Sequence, residues 1–285
     1  IRKKILIADR KESFKSLGIE NGPVILSFGG SLGAKKINDV MAQVIINHKD
    51  DSPYTYIHGF GKKGHDFEEI HGCIAAFLEE EADITVRTAT FEMPEHGLSE
   101  EVLADTDVLI FWSHARQDEF SDEVAERVRQ HVLMGMGLLA LHSAHFSKVL
   151  KKLLGTSMTL KWRHGDRERL WCIDPTHPIA AGIPEQIEIG QEEMYGEYFD
   201  IPKPDDVVFA GWFSGGEGFR SGCTFTRGYG KIFYFQPGHE EYPVYYMPQI
   251  QKIIKNAVRY LAPVRREKKP ADCIHAEQPY ENGEK

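Results

Sequence analysis

Imidazole can hold a metal or move a proton near neutral pH, so histidines that follow an apolar run are the first residues to weigh. Three places qualify. His114 comes after Phe111-Trp112-Ser113, His142 and His145 follow Leu138 to Leu141, and His239 follows Ile232 to Phe235 through Gln236-Pro237-Gly238. Any one of them would as readily cap a helix or bond a carbonyl, but core packing does not ask separate apolar runs to end on the same residue type. Spacings such as H-E-x-x-H or C-x-x-C are absent, so spacing by itself is a weak metal signal. The stretch from Leu138 to His145 has the local logic of a nucleophile elbow: an apolar strand, a polar residue on a tight turn, then a helix start whose N–H groups face the ligand. His142 holds the nucleophile's place. Ser143 with His239 as its base stands one position off the apex and lacks the glycines of G-x-S-x-G, so a covalent route is disfavoured.

Such residues need strands that end where they stand, because ligands of an open α/β sheet bind beyond the carboxyl ends of its strands. Val24 to Phe28 reads as a strand, Gly29-Gly30-Ser31-Leu32-Gly33 as a Gly-rich loop, and Ile37, Val40, Met41, Val44 and Ile45 as a helix. Tyr54 to His58 and a helix through Cys73, Ile74, Phe77 and Leu78 repeat the pattern. Ile84 to Thr88 alternates like a strand, and Ser99 and Ser121 stand where helix caps belong. Val108 to Trp112 and Leu138 to Leu141 are continuously apolar, as strands covered on both faces must be. From Leu160 the helical period fades into short strands at Trp171 to Ile173, Val207 to Ala210, Cys223 to Thr226 and Lys231 to Phe235, where antiparallel additions are expected. A helix returns from Met247 to Leu261, and the polar residues after Pro263 read as a disordered tail.

The 285 residues carry 34 Lys+Arg against 43 Asp+Glu, a net charge of −9, with 41% hydrophobic residues. That is the composition of a globular protein. The acidic balance speaks against a nucleic-acid partner. No apolar run approaches the roughly 20 residues of a membrane span, and Ile1-Arg2-Lys3-Lys4 lacks a signal peptide's apolar segment. Cys73, Cys172, Cys223 and Cys273 lie far apart with no pairing pattern, so a reducing cytoplasm is expected. The chain opens without Met, as a fragment would.

From about Ile70 to Pro263 the chain resembles the trehalose-utilisation (ThuA-like) family of the class I glutamine amidotransferase-like group. The resemblance is carried by Pro94-Glu95-His96-Gly97-Leu98, Trp112-Ser113-His114, Gly137 to Phe146, Lys161-Trp162-Arg163, Asp174 to Ile179, Glu193 to Glu197, Phe219 to Cys223 and Pro237-Gly238-His239-Glu240. It implies an α/β, flavodoxin-like, mostly parallel sheet with helices on both faces, and a role in disaccharide catabolism, on keto-sugar derivatives among others. True amidotransferases of that group carry a Cys at the elbow, where this chain has His142, so glutaminase activity is not expected. The cluster lacks a nucleophile but is rich in metal ligands. A divalent metal, zinc among the candidates, is therefore expected on His142 and His239 with His114 and Glu193 near, serving water activation or proton abstraction beside a keto group. Tyr195, Lys161, Arg163 and Arg220 are candidates to bind hydroxyls or an anion, with an ion pair as the plain alternative for the two arginines. His177, between prolines, reads as structural. Trp162, Trp171 and Trp212 could line a sugar platform.

Residues 1–58 fit another pattern. Phe28 to Asn38, with Ile1-Arg2-Lys3 and Asp9 to Glu12 before it, resembles part of the MurG-type N-acetylglucosaminyl transferases. In those the Gly-rich loop lies near a nucleotide-sugar diphosphate, which makes Gly29, Gly30, Ser31 and Gly33 a weak candidate site. The chain thus reads as a junction: an N-terminal βα segment over 1–53, an α/β domain over 54–263 in which Tyr54 to His58 stands in for the family's first strand, and a tail over 264–285. The leading expectation is a trehalose-utilisation-type protein acting on a sugar with a metal. A non-catalytic sugar-binding protein of the same fold and a fragment that binds UDP-N-acetylglucosamine are the alternatives. The partner expected is a small sugar, with no membrane and with homo-oligomers left open.

Overall fold

The computed structural model describes residues 24–28, 55–59 and 67–276, in a chain that divides into two compact units, Ile1–Asp66 and Phe67–Lys285. In the first unit, β1 (Val24–Phe28) and β2 (Thr55–Gly59) pair in parallel. The strand expected to open the larger domain is thus paired with β1. The Gly-rich loop with Gly29, Gly30, Ser31 and Gly33 lies outside the described residues.

The second unit runs α1 (Phe67–Glu79), α2 (Glu100–Ala104), β3 (Val108–Trp112), α3 (Asp122–Leu133), β4 (Gly137–Leu141), α4 (Lys148–Leu154), β5 (Lys161–Cys172), β6 (Gln186–Gly196), β7 (Asp206–Phe213), β8 (Gly218–Arg227), β9 (Gly230–Phe235) and α5 (Pro248–Leu261). Ser99, Ser121 and Ser147 each accept an N–H bond from the first turn of α2, α3 and α4. Such caps are worth about 1 kcal/mol apiece. The Ile84 to Thr88 strand does not form. Ile84 and Val86 pack against the α1 and α5 side of the core with no ladder partner.

The seven strands lie in the order β3-β4-β9-β8-β7-β5-β6. β3, β4 and β9 are parallel, while β8, β7, β5 and β6 are each antiparallel to their neighbours. The sheet is therefore mixed, and its parallel character is confined to the β3-β4-β9 side. Parallel neighbours need long crossovers. Between α4 and α5 the chain carries no α-helix to make one.

Helices cover both faces of this sheet. Leu138 and Ala140 of β4 join Val124, Val128 and Leu150 in one cluster, whereas Leu139 and Leu141 join Ile74, Ile250 and Ile253 in the other. This alternation is what a doubly buried strand requires. A Cβ on Gly137 would lie 2.4 Å from the Leu261 carbonyl oxygen, so the end of α5 rests directly on the β4 backbone. Past α5, Arg266 donates to the Leu103 carbonyl and the Glu267 N–H to the Met134 carbonyl.

Candidate functional site

β4 delivers His142 in a left-handed conformation, φ 51°. A residue other than Gly pays on the order of 1–3 kcal/mol for that, and such strain persists where neighbours over-determine it. His142 is fully buried, and its Nδ1 donates to the Gln236 carbonyl at 2.8 Å, just past β9. A carbonyl only accepts, so Nδ1 carries the proton and Nε2 is left to take a second proton or a metal.

The turn after β9 is set by Glu192. Its buried carboxylate accepts the N–H groups of Gly238 at 2.7 Å, His239 at 3.2 Å and Glu193 at 2.7 Å. Gly238 has φ 132°, and a Cβ there would fall 2.0 Å from the Tyr245 hydroxyl. Only glycine fits. His239 therefore stands locked, with Nδ1 accepting the Glu241 N–H at 3.1 Å. In that arrangement the neutral ring carries its proton on Nε2, a buried atom with no hydrogen-bond partner among the described residues.

Glu193, adjacent on β6, sits among these rings. Its carboxylate lies 3.1 Å from His142 Nε2, 3.6 Å from His164 Nδ1 and 3.9 Å from His239 Nε2. The Tyr195 hydroxyl is 3.3 Å from His142 Nε2. His114 bonds the Ser143 hydroxyl through Nδ1 at 2.9 Å and places Nε2 3.5 Å from Glu240, whose other oxygen lies 3.6 Å from His239 Nε2. Burial alone would hold His142 neutral, but the bond to Glu193 and the charges of Glu192 and Glu193 outweigh it and raise its pKa. Burial pushes Glu193 up, and the His142 bond with the surrounding imidazoles overcomes that and keeps it ionised. His239 is driven down to about 3 by burial and by the neighbouring His142. Burial holds Tyr195 neutral by raising it far above its ordinary value.

Ring nitrogens of His114, His142 and His239 all lie within 4.8 Å of one another, as a metal would require. The donors fit a divalent ion at His142 and His114, each of which bonds an oxygen through Nδ1 and leaves Nε2 free of a hydrogen-bonded proton partner other than a carboxylate or phenol. His239 fits less well, because its Nδ1 is already engaged as an acceptor.

A cleft of about 440 Å³ opens onto this cluster, lined by His114, Glu193, Tyr195, His145, His164 and Trp162, with Gln117, Ser143 and Thr159 among its polar walls. His142 and His239 stand behind that wall. Of the other residues singled out from sequence, Lys161 is exposed at the start of β5, Arg163 pairs with Asp166 and Glu217, and Arg220 pairs with Glu197. None of the three lines the cleft, so the ion-pair alternative describes both arginines. His177 accepts the Ile179 N–H and caps a single turn, a structural task. Trp162 is 59% exposed at the cleft, while Trp171 and Trp212 lie exposed on strands outside its lining.

Several members are new. His164 directly follows the Lys161-Trp162-Arg163 motif and Glu240 closes the motif from Pro237, while His145 already stood out beside His142. His145 has Nδ1 on the Met158 carbonyl at 2.8 Å, which leaves Nε2 as an acceptor at the cleft wall, and burial lowers its pKa to about 4. Glu192 and Gln236 had no signal beyond a polar residue inside or beside an apolar strand.

A stretch of 67 residues, 23% of this chain, is 37% identical to the UDP-N-acetylglucosamine–N-acetylmuramyl-(pentapeptide) pyrophosphoryl-undecaprenol N-acetylglucosamine transferase of Acetivibrio thermocellus and spans only 18% of that protein's length. Among solved structures, a ThuA-like protein from Parabacteroides merdae superposes with a TM-score of 0.47 at 13% identity, covering 88% of this chain and 93% of that one. One from Bacteroides uniformis gives 0.44 at 12% identity over 85% and 93%. A glutamine amidotransferase from Thermotoga maritima gives 0.34 at 9% identity over 85% and 99%. Residues 54–261 match the family model described as trehalose utilisation, and with most of its length inside that match the chain belongs to the ThuA family.

Proposed function

We propose that this protein is an enzyme acting on a sugar derivative, with a divalent metal, zinc among the candidates, held by His142 and His114 and assisted by His239. The observation that supports it best is the convergence of three imidazole nitrogens within 4.8 Å beside a carboxylate kept ionised. Bound there, a divalent ion would polarise a carbonyl oxygen or lower the pKa of a water. The chain's own residues supply the rest. Glu193 lines the cleft as a lasting negative charge and can accept a proton from water or from a carbon beside a carbonyl. His164 lines the cleft within reach of a ligand, and Tyr195 stays protonated. The cleft lining suits a sugar: Trp162 offers a flat apolar surface to the C–H face of a ring, and Gln117, Ser143, Thr159 and His145 offer partners for hydroxyls. Trehalose, named in the family's description, and its keto derivatives are the first compounds to try. A cytoplasmic setting accords with cysteines that are all free, and among the described residues no helix is long and apolar enough to cross a membrane.

One observation favours a second reading, acid–base chemistry without a metal: the proton fixed on His239 Nε2. Elemental analysis of the purified protein separates the two. About one divalent ion per chain, lost in His142→Ala with His114→Ala, supports the metal reading. No metal after zinc is added, together with exchange of solvent deuterium into a keto-sugar that Glu193→Gln abolishes, supports the second. Absence of both metal and exchange, with saccharide binding intact, supports a binding protein.

A further inference from the structure

Behind the site, three buried polar side chains, two on strands and one just past a third, form a chain that the chemistry above leaves unused. Glu168 of β5, Ser221 of β8 and Gln236 past β9 are each fully buried. Glu168 Oε1 lies 3.1 Å from the Ser221 hydroxyl, which lies 3.2 Å from Gln236 Oε1. Gln236 Nε2 donates to the Glu193 carbonyl at 3.1 Å, and the Gln236 carbonyl takes the His142 Nδ1 proton at 2.8 Å. β7 lies between β5 and β8. The contact across it exists because Gly211 has no side chain: a Cβ there would stand 2.4 Å from Glu168 Oε1 and 2.5 Å from Ser221 Oγ.

With every contact in this chain kept as a hydrogen bond, only one set of directions is possible. The Glu193 carbonyl can only accept, so the amide nitrogen of Gln236 must face it and the amide oxygen must face Ser221. That oxygen can only accept, so the single proton of Ser221 goes to Gln236. Nothing remains to donate between Ser221 and Glu168 except a proton on Glu168 itself.

We infer that Glu168 keeps its proton at neutral pH and is a positioning residue, the head of a one-way donor chain through Ser221 and Gln236 that fixes the Glu193 backbone and the His142 ring. Burial raises its pKa well above the usual carboxylate range, and the nearby Glu192 adds to this. No cation bonds it among the described residues. An ionised Glu168 would claim the Ser221 proton, strip Gln236 Oε1 of that donor and loosen the amide that touches Glu193. Buried polar networks gain or lose as a unit in this way.

The inference does not rest on the proposed reaction, because its test reads the proton of Glu168 and the ring nitrogens of His142. Infrared difference spectra of wild type against Glu168→Gln at pH 7 should show a protonated carboxyl band that the variant lacks. Glutamine replaces the acid's donor with an N–H, so the ring 15N signature of His142, protonated at Nδ1, should match wild type in Glu168→Gln. It should shift in Ser221→Ala and in Gly211→Ala, and Glu168→Leu should follow them if it folds. An ionised carboxylate at position 168, or a Glu168→Gln protein whose His142 signal moves as far as in Ser221→Ala, would overturn it.

Discussion

His142 Nε2 stands 3.1 Å from the Glu193 carboxylate, with both side chains closed to all but a few per cent of solvent. Each group owes its charge state to the other. Burial acts to neutralise both, and their contact reverses that for both.

Glu193→Gln removes the main force that raises His142. The burial contribution then prevails, and the ring should titrate below its wild-type value, which an NMR titration of the His142 ring nitrogens reads directly. Loss of a positioned proton acceptor costs about 10²–10⁴-fold in rate, so turnover of any substrate found for wild type should fall by that order. An unchanged His142 titration in the variant would break the pairing.

His145 makes acid stability testable. Its pKa drops from 6.5 to about 4 on folding, burial being the main cause. The depressed value means its contribution is present above 6.5 and lost as pH falls toward 4, because the unfolded chain binds a proton the folded chain refuses. The loss is of order 3 kcal/mol across that window. His145→Asn keeps a donor for the Met158 carbonyl and cannot titrate. Urea unfolding at pH 7.5 and 4.5 should show a smaller stability drop in the variant than in wild type, and equal drops would reject the account.

The cleft should prefer neutral sugars to phosphorylated ones. Among the described residues no Lys or Arg lines it, and Glu193 supplies a fixed negative charge. Arg163 and Arg220 are held by acidic partners elsewhere. Calorimetry should therefore give at least about tenfold tighter binding, some 1.4 kcal/mol, for a neutral saccharide than for its phosphate. Arg163→Ala should leave that ratio unchanged, whereas Trp162→Ala should weaken the neutral sugar with little effect on Tm, since Trp162 is mostly exposed. A preference for the phosphate that Arg163→Ala removes would show the arginine reaching the ligand.

What could be read from sequence was whatever sat at the end of an apolar run. His142 and His239 were visible because β4 and β9 are continuously apolar and each stops at a polar turn. Glu193 and Tyr195 came from a motif. Arg163 and Arg220 also stand in motifs, but a motif does not say whether an acidic partner already holds the guanidinium, as Asp166, Glu217 and Glu197 do. Glu168 was the least legible. Asp166-Arg167-Glu168-Arg169 looks like a solvent-facing strand, and only the pairing of Glu168 with Phe213 in the β5–β7 register turns it inward. Ser221 lies in β8 and Gln236 just past β9, and their purpose appears only when Gly211 lets Ser221 meet Glu168.

That buried carboxyl also predicts a slope in stability with pH. For Glu168 the folded value lies well above the usual range while the unfolded chain titrates near 4.3. A raised value means the stability it contributes is complete below the unfolded pKa and drains away as pH rises toward the folded one. Glu168→Gln keeps the donor to Ser221 and removes the titration. Between pH 5 and 9, urea midpoints of wild type should therefore fall relative to those of the glutamine variant, with the gap opening steadily toward alkaline pH. Parallel curves would mean that Glu168 is as easily ionised in the folded protein as in the unfolded chain, and the donor chain through Ser221 would lose its source.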